Sequence, residues 1–370
     1  MDHNSFRAGA ANVTITPPLG VELAGYGFGL SVGVLDDLEA QTLYLESGDE
    51  RVVIVTVDLL AVGAEFLAGL RQRAEAEIGV RGDCLLVAAS HSHSAPTARS
   101  LRQWGQVDAS YLRFLGRAIL QAIETARNAA ADACLGWGEG HLETISQNRR
   151  AAGGPIDPAV PVLTLHRRTP PRQARRIGAV LGSEAAKIAL DPRLEFSPRL
   201  RVLSTVIDLP LAPLPAPAEL EQRHRQYSQR AEEAHRAGKP LVETSVLEIE
   251  RDWAADALAA HASGSLRETM PCEITALRLG PAALLFASLE VFVETGLAIK
   301  AASPFSLTVL CTNANGELGY LPTADAYRVE DYTNPQGLAP KVYGLYAFAE
   351  AAEPLFRERA SALLQELFAE

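Results

Sequence analysis

The chain has 370 residues, of which 48% are hydrophobic and 21% are charged, so it can bury a sizeable core and is neither disordered nor fibrous. Its net charge of −11 repels phosphate backbones, and we expect no nucleic-acid partner. No stretch approaches the roughly 18 apolar residues that span a bilayer, and the N-terminus lacks a basic region followed by an apolar run. We therefore expect a globular, cytoplasmic protein without a transmembrane segment.

The first part of the chain predicts a βαβ unit. The β-branched run at 51–57 indicates a strand, and apolar residues at helical spacing indicate a helix over 64–78. A second buried strand at 84–88 completes the unit, whose two strands are expected to be parallel. A long amphipathic helix follows, and Asp108 or Ser110 can cap its first turn.

The rest of the chain continues to alternate between strands and helices. Further strands are predicted at 132–166 in irregular form, 201–209, 272–279, 283–287 and 306–311. Further helices are predicted at 172–190, 218–237, 246–261 and 291–301, with a last region from Val342 that Pro354 kinks or restarts. The proline-rich segment 209–217 predicts an extended connector, and 218–263 a helical insertion. Together the elements predict one α/β domain over residues 1–370, with a mixed, largely parallel twisted sheet flanked by helices.

Two histidines, His91 and His93, follow the second predicted strand. Side chains two residues apart in extended backbone point to the same face, so both imidazoles would project together at the carboxyl end of the strand. That edge is where α/β sheets place their ligands. Histidine pairs in loops also serve as plain hydrogen-bonding residues, and the motif alone leaves a metal site and a structural role open.

Two later segments supply a carboxylate and a phenol. Glu290 follows the strand predicted at 283–287, and Tyr320 follows the strand predicted at 306–311. If these strands are parallel neighbours, their ends converge on one crevice, where nitrogen and anionic oxygen donors suit Zn²⁺. Taken singly, Glu290 also fits an acid at a helix N-terminus and Tyr320 an aromatic residue at a rim.

Several motifs together resemble the neutral, non-lysosomal ceramidase family, whose members are zinc-dependent amidases that cleave N-acyl sphingosine. The motifs are SHSHSAP at 90–96, QNRR at 147–150 followed by PIDPAV, SLEVFVE at 288–294 and NGELGYLPTADAY at 315–327, in the order found in the family. The segments TITPPLGVELAGYG and VTVDLLAV, nearer the N-terminus, also match. The resemblance extends over most of the chain and implies the fold of the family's N-terminal catalytic domain.

The resemblance implies a zinc site with three ligands from this chain. His91 matches a histidine ligand, Glu290 the carboxylate ligand and Tyr320 the phenol ligand. A catalytic zinc typically has three protein ligands and a water, so these residues suffice in number. His93 can join them from the same face.

One segment of the family is missing from this chain. After the strand matched by 160–165, family members carry a further zinc-binding histidine and a glycine-rich region with the catalytic serine. This chain has only the six residues 166–171 before the next predicted helix. His166 either replaces the absent ligand or is a surface histidine.

The resemblance also implies the catalytic residues. His93 matches a residue that contacts the substrate, and an unperturbed histidine pKa near 6.5 suits a proton shuttle. Arg149 matches a substrate-contacting arginine. Tyr332 occupies the position of a tyrosine that stabilises the oxyanion, although the surrounding sequence DYTNPQG differs from the family's.

These matches imply a zinc-dependent hydrolase of an amide bond in a small or lipid-like N-acyl substrate. The missing segment leaves an alternative, a catalytically degenerate homologue that keeps the fold and acts as a binding or partner protein. In either case a homo-oligomer could cover sheet surface that the missing segment would otherwise protect. Metal content and the release of amine from N-acyl substrates discriminate between the two.

Overall fold

The computed structural model describes residues 6–25, 29–143, 146–167, 185, 187–189, 193–195, 197–329 and 331–370. The strands of this part are β1 Phe6–Thr14, β2 Glu39–Ser47, β3 Glu50–Val57, β4 Leu85–Ala89, β5 Ala131–His141, β6 Ala159–Arg167, β7 Arg193–Glu195, β8 Leu200–Pro210, β9 Thr269–Leu279, β10 Ala282–Ala287, β11 Glu290–Val291, β12 Leu307–Cys311 and β13 Tyr320–Leu321. The helices are α1 Ala64–Ile78, α2 Ala109–Asn128, α3 Pro217–Arg236, α4 Leu241–Ser263, α5 Val293–Ala302, α6 Ala339–Tyr343 and α7 Ala352–Ala369.

The strands form two main sheets and one short pair. The first sheet has the order β4-β3-β2-β1-β5-β6, with β7 also paired to β5, and the second has the order β12-β10-β9-β8. Strands β11 and β13 pair only with each other among the described strands. The prediction of a mixed α/β fold with flanking helices is confirmed.

The expectation of largely parallel pairing is wrong. Among the described strands, parallel pairing joins β3 to β4, β10 to β12 and β11 to β13, and the other pairs are antiparallel. For two of the antiparallel pairs the cause is local, since a two-residue turn connects the strands. Gly48 and Asp49 join β2 to β3 with Gly48 at a φ of 60°, and Gly280 turns β9 into β10 at a φ of 56°. A two-residue turn reverses the chain and makes the strands antiparallel.

Alternating side chains divide the core into two layers. In β10, Leu284 and Phe286 join the cluster that contains the interior residues of the first sheet. The intervening Ala283 and Leu285 belong to the second cluster, which also contains the apolar face of α7. Because successive side chains of a strand point to opposite faces, the second sheet is packed between the first sheet and α7. All six residues of β10 are buried as a result.

Most predicted elements appear within a few residues of their expected bounds. Helix α2 begins where expected, because the Asp108 side chain accepts hydrogen bonds from the backbone N–H groups of Ser110 and Tyr111 at 2.7 and 2.9 Å. Pro354 lies in the first turn of α7 and thus starts a helix rather than kinking one. The helix predicted over 172–190 falls mostly outside the described residues.

Helices α3 and α4 form an antiparallel hairpin that supports the segment around α6. Lys341 in α6 is only 1% exposed, and its Nζ donates to Glu250 of α4 at 2.9 Å and to the Gln336 carbonyl at 2.8 Å. The other carboxylate oxygen of Glu250 lies 2.9 Å from Arg223 of α3. The Lys341 ammonium also lies 5.4 Å from the centre of the Trp253 ring. A buried charge of this kind is tolerated because it is both paired and hydrogen-bonded.

We expect Glu250→Gln to lower the free energy of unfolding by about 3 kcal/mol, because it leaves the buried Lys341 ammonium without its counter-charge. The matched control is Glu243→Gln on the same helix, which removes an exposed pair with Lys239 and should cost less than about 1 kcal/mol. Urea unfolding of both variants measures the difference. Equal losses would show that the buried pair has no special weight.

Candidate active site

Three chain segments meet at the carboxyl ends of β4 and β10. The segment after β4 carries His91, and the short strand β11 after β10 carries Glu290. Strands β11 and β13 are parallel with Glu290 directly opposite Tyr320, which places these two residues on adjacent strands about 4.8 Å apart. The expected convergence of strand ends therefore occurs. Strands β10 and β12 are parallel neighbours as expected, but β4 belongs to the other sheet.

The loop after β12 is locked against β4 by Asn315. The backbone N–H of Asn315 donates to the Val87 carbonyl at 2.8 Å, and the Asn315 side-chain oxygen accepts from the Val87 N–H at 3.1 Å. Its side-chain nitrogen reaches Glu273 at 3.2 Å, and Glu273 is held in turn by a two-point ion pair with Arg71 at 2.8 Å. Asn315 adopts a φ of 59°, a left-handed conformation that asparagine tolerates better than most residues. These bonds fix where β13 begins.

His91 reaches the site through a turn rather than a strand. Strand β4 ends at Ala89, and His91 has a φ of 60°, so the extended backbone assumed for the two histidines is wrong. The rings of His91 and His93 nevertheless meet edge to face with their centres 5.0 Å apart. A left-handed histidine is uncommon and concentrates at sites where the surroundings enforce it.

One ring nitrogen of His91 donates a hydrogen bond to the backbone. Its Nδ1 lies 2.9 Å from the Leu60 carbonyl oxygen, which can only accept a hydrogen bond, so a neutral ring carries its proton on Nδ1. Its Nε2 lies 3.7 Å from a carboxylate oxygen of Glu290. A lone pair on Nε2 thus faces the carboxylate, and a backbone carbonyl fixes the tautomer from behind, as is usual for histidine ligands of metals.

Tyr343 is a partner of Glu290 that sequence reasoning missed. Its hydroxyl donates to the other carboxylate oxygen of Glu290. Burial, followed by the charge of Glu290, raises the pKa of the Tyr343 phenol far above its ordinary value of about 10, so the group remains a hydrogen-bond donor. Tyr343 lies two residues after the buried Lys341, and no motif marks it in the sequence.

The other predicted residues form a polar cluster beside Glu290. The Tyr332 hydroxyl donates to the Tyr320 hydroxyl at 3.1 Å, and Arg149 donates to the Tyr332 hydroxyl and lies 3.5 Å from that of Tyr320. Burial, then the charge of Glu290, raises the pKa of the Tyr320 phenol strongly. Burial also raises the pKa of Tyr332. The structure thus brings Arg149, Tyr320 and Tyr332 together.

His93 packs against the backbone at Gly25. A side-chain carbon at Gly25 would lie 2.1 Å from Nδ1 of His93, and the φ of Gly25 is 104°, so both space and backbone require glycine there. Burial, helped by His91 and Arg149, lowers the pKa of His93 to about 4. His93 is therefore neutral near pH 7. A neutral imidazole can accept a proton from a reacting group, but it has no extra proton to donate at the start of a reaction.

A half-buried Arg99 and a buried Glu317 lie behind the site, and neither was predicted. The Arg99 guanidinium donates to the Tyr343 carbonyl and lies 5.1 Å from the centre of the Tyr343 ring. Glu317 is 3% exposed, and burial followed by the charge of Glu290 raises its pKa. Arg99 Nη1 and Glu317 Oε2 have no hydrogen-bond partner among the described residues. Glu317 stood in the sequence as an acid inside an apolar motif, a signal that could have found it.

The donor set around His91 fits a divalent cation in part. Nitrogen and oxygen ligands bind zinc at about 2.0–2.2 Å, so a separation of 3.7 Å between His91 Nε2 and Glu290 Oε2 is compatible with one shared ion. Tyr320 is the third candidate ligand. Within the described ranges, however, no three His, Cys, Asp or Glu side chains converge on one point. His166 does not supply the missing ligand there, since it lies in β6 with its Nε2 2.9 Å from Thr164.

The reactive groups separate two openings of different size. On one side is a cavity of about 220 Å³ lined by His91, His93 and several apolar residues. On the other is a groove of about 420 Å³, in which polar side chains alternate with Pro155, Ile156, Phe292 and Val293. Arg149, Tyr320 and Tyr332 line both. A substrate bound at these three residues can therefore extend in both directions.

Two solved structures are similar to this chain along nearly its whole length. The neutral ceramidase from Pseudomonas aeruginosa has a TM-score of 0.67 and 18% sequence identity, and the match covers 98% of this chain and 75% of that chain. A ceramidase complexed with C2 has a TM-score of 0.67 and 15% identity, and the match covers 99% of this chain and 75% of that chain. No family model and no curated protein sequence matches the chain. The chain thus has the neutral ceramidase fold, as its motifs predicted.

None of the helices in the described part of the chain combines the length and the apolar character needed to cross a bilayer.

We expect Gly25→Ala to displace His93, because the added carbon would overlap the imidazole. With less burial, the pKa of His93 should rise from about 4 toward its ordinary 6.5. The matched control is Gly29→Ala, where φ is 86° but no atom of the described residues lies within 4 Å of the added carbon. The control shares the backbone strain, about 1–2 kcal/mol, without the overlap. NMR titration of the ring nitrogens measures the pKa, and identical His93 titrations in both variants would contradict the assignment.

Proposed function

We propose that this protein is a zinc-dependent hydrolase of an amide bond in an N-acyl substrate. The observation that carries the proposal is the meeting of His91, Glu290 and Tyr320 from three distant segments, with Arg149 and Tyr332 beside them. The neutral ceramidase fold supports it, and so do the sequence motifs that resemble those of this amidase family.

In this proposal His91 Nε2, a carboxylate oxygen of Glu290 and the Tyr320 phenol hold the zinc ion. When bound, zinc lowers the pKa of water to about 7 and polarises a carbonyl group. The Leu60 carbonyl keeps the His91 ring in the tautomer that a ligand needs. The Tyr343 hydroxyl donates a hydrogen bond to one carboxylate oxygen of Glu290. The other carboxylate oxygen therefore remains directed at His91.

Arg149 and Tyr332 bind the carbonyl oxygen of the substrate. Both are donors at the junction of the cavity and the groove, and a donor aimed at the developing oxyanion lowers the barrier to amide hydrolysis. The stacking of the Arg149 guanidinium 5.4 Å from the centre of the Tyr332 ring keeps the two donors together. His93 is the proton acceptor, since its neutral ring lines the same cavity.

A second candidate is a binding protein that keeps the fold and the crevice without turnover. It is favoured because, among the described residues, no three His, Cys, Asp or Glu side chains form a group that could hold a metal ion. The same crevice would then hold an N-acyl amide or its products as a ligand. The metal content of the purified chain and the release of amine distinguish the two candidates.

We expect the purified chain to bind about one zinc ion and His91→Ala to bind at least tenfold more weakly, because it loses the only imidazole whose Nε2 faces Glu290 in the described part of the chain. The control is His235→Ala, which removes an exposed histidine on α3 and should leave zinc binding unchanged. Equilibrium dialysis followed by metal analysis measures the affinity. Equally negligible zinc in all three proteins would rule the metal site out.

We expect Tyr332→Phe to lower kcat for a hydrolysed N-acyl amide by about 10²-fold with a small change in KM, because the lost hydroxyl acts on charge that develops in the transition state. The control is Tyr227→Phe, a change of the same kind on the outer helix α3, which should leave kcat unchanged. Steady-state kinetics of amine release measures both constants. A rise in KM with an unchanged kcat would assign Tyr332 to ground-state binding instead.

A further inference from the structure

Several large apolar side chains are exposed between residues 19 and 35. They are Leu19, Leu30, Val32, Val34 and Leu35, and their exposed fractions run from 52% at Val34 to 96% at Leu35. A single exposed leucine is ordinary on a protein surface, but a group of neighbouring ones marks an interaction site. We call residues 29–35 the apolar loop.

The apolar loop is held by antiparallel backbone bonds to residues 20–23. The backbone N–H of Gly20 donates to the Ser31 carbonyl at 3.0 Å, and that of Leu23 donates to the Gly29 carbonyl at 3.0 Å. Beyond these bonds, Val34 and Leu35 line one hollow of about 230 Å³ together with Leu19. The exposed side chains therefore belong to a hydrogen-bonded part of the fold and lie on one surface.

The apolar loop lies beside the proposed reactive site. Ser92 and Ser94 line the same hollow as the loop, whereas His91 and His93 line the cavity next to Glu290 and Tyr320. The segment 91–94 thus has the apolar loop on one side and the cavity on the other. A surface that binds the apolar loop therefore lies close to the candidate site.

The charges around the apolar loop determine which surface it fits. The sequence has no lysine or arginine from residue 8 to residue 50, and Glu22, Asp36 and Asp37 lie next to the exposed side chains. An anionic membrane, which attracts basic segments, would be repelled here. The loop therefore fits a surface without net negative charge.

The kind of side chain favours lipid over a protein partner. The exposed side chains of the patch are leucine and valine, which are under-represented among the residues that dominate protein interfaces. Tryptophan, tyrosine and arginine, which dominate there, are absent from residues 29–35. Aliphatic side chains gain free energy by leaving water without needing a shaped partner, and the hydrocarbon of a lipid layer provides this.

We propose that the apolar loop inserts its leucine and valine side chains into an uncharged lipid surface and holds the candidate site beside that surface. This inference goes beyond the proposed function, because docking needs neither zinc nor turnover. The apolar area that the folded chain leaves in water becomes buried on docking, while the neighbouring acids stay at the water side.

Co-sedimentation of the full chain with phosphatidylcholine vesicles tests the inference. We expect binding that changes little between low and high salt, since no basic residue of the loop contributes to it. Replacing one third of the lipid by phosphatidylserine should weaken binding, because the nearby acids are repelled. A lack of binding to phosphatidylcholine, or tighter binding to the anionic vesicles, would overturn the proposal.

A pair of double variants assigns the binding to the apolar loop. Val32→Ser with Leu35→Ser removes the two most exposed apolar side chains and should lower the affinity for the vesicles at least tenfold. Val206→Ser with Leu266→Ser makes the same changes at exposed positions of β8 and of the turn after α4, and should leave the affinity unchanged. Equal losses in the two double variants would contradict the assignment.

Sedimentation velocity without lipid tests the other occupant, a second copy of the chain. We expect the same sedimentation coefficient for the wild type and for the Val32→Ser, Leu35→Ser variant, since lipid is the proposed partner. A wild type that self-associates beside a variant that stays monomeric would make the apolar loop an interface between copies and overturn the proposal.

Discussion

The arrangement of the site depends on the parallel pairing of Glu290 with Tyr320 across two very short strands. This pairing joins the end of one sheet strand to a loop that returns thirty positions later along the chain. Two residues of strand have little stability of their own, and the pairing persists because Asn315 anchors the loop to β4 through Val87. The Glu290 carboxylate, the Tyr320 phenol and His91 are therefore held by one connected set of strands and loops, and movement of one of them requires movement of the others.

The charge of Glu290 acts on several groups around it. Burial, then the charge of Glu290, raises the pKa values of Glu317, Tyr320 and Tyr343. The nearby Arg99 partly offsets this effect at Glu317, and burial lowers the pKa of Arg99 itself. Such a field favours an added positive charge, which is an electrostatic reason for a cation between His91 and Glu290.

Much of the fold was predictable because hydrophobic periodicity and capping act locally. The βαβ unit at 51–90 and the cap at Asp108 are examples, since each depends on neighbours along the chain. The direction of strand pairing was missed at Gly280, where a two-residue turn makes β9 and β10 antiparallel. The resemblance supplied the six candidate site residues, but Tyr343, Arg99 and Glu317 reach the same place only through tertiary packing. No pattern in one sequence reports such contacts.

The helical hairpin has a consequence for how this site can be altered. Residues 101–104 and 338–345 rest on α4 through Trp104, Lys341 and the bond from Trp253 to the Leu345 carbonyl. The hairpin carries none of the proposed reactive groups, yet it sets the shape of the cavity beside them. Substitutions in the hairpin could therefore change which molecules the cavity admits while every reactive side chain stays the same. Natural relatives that differ in the hairpin would be the first place to look for altered selectivity.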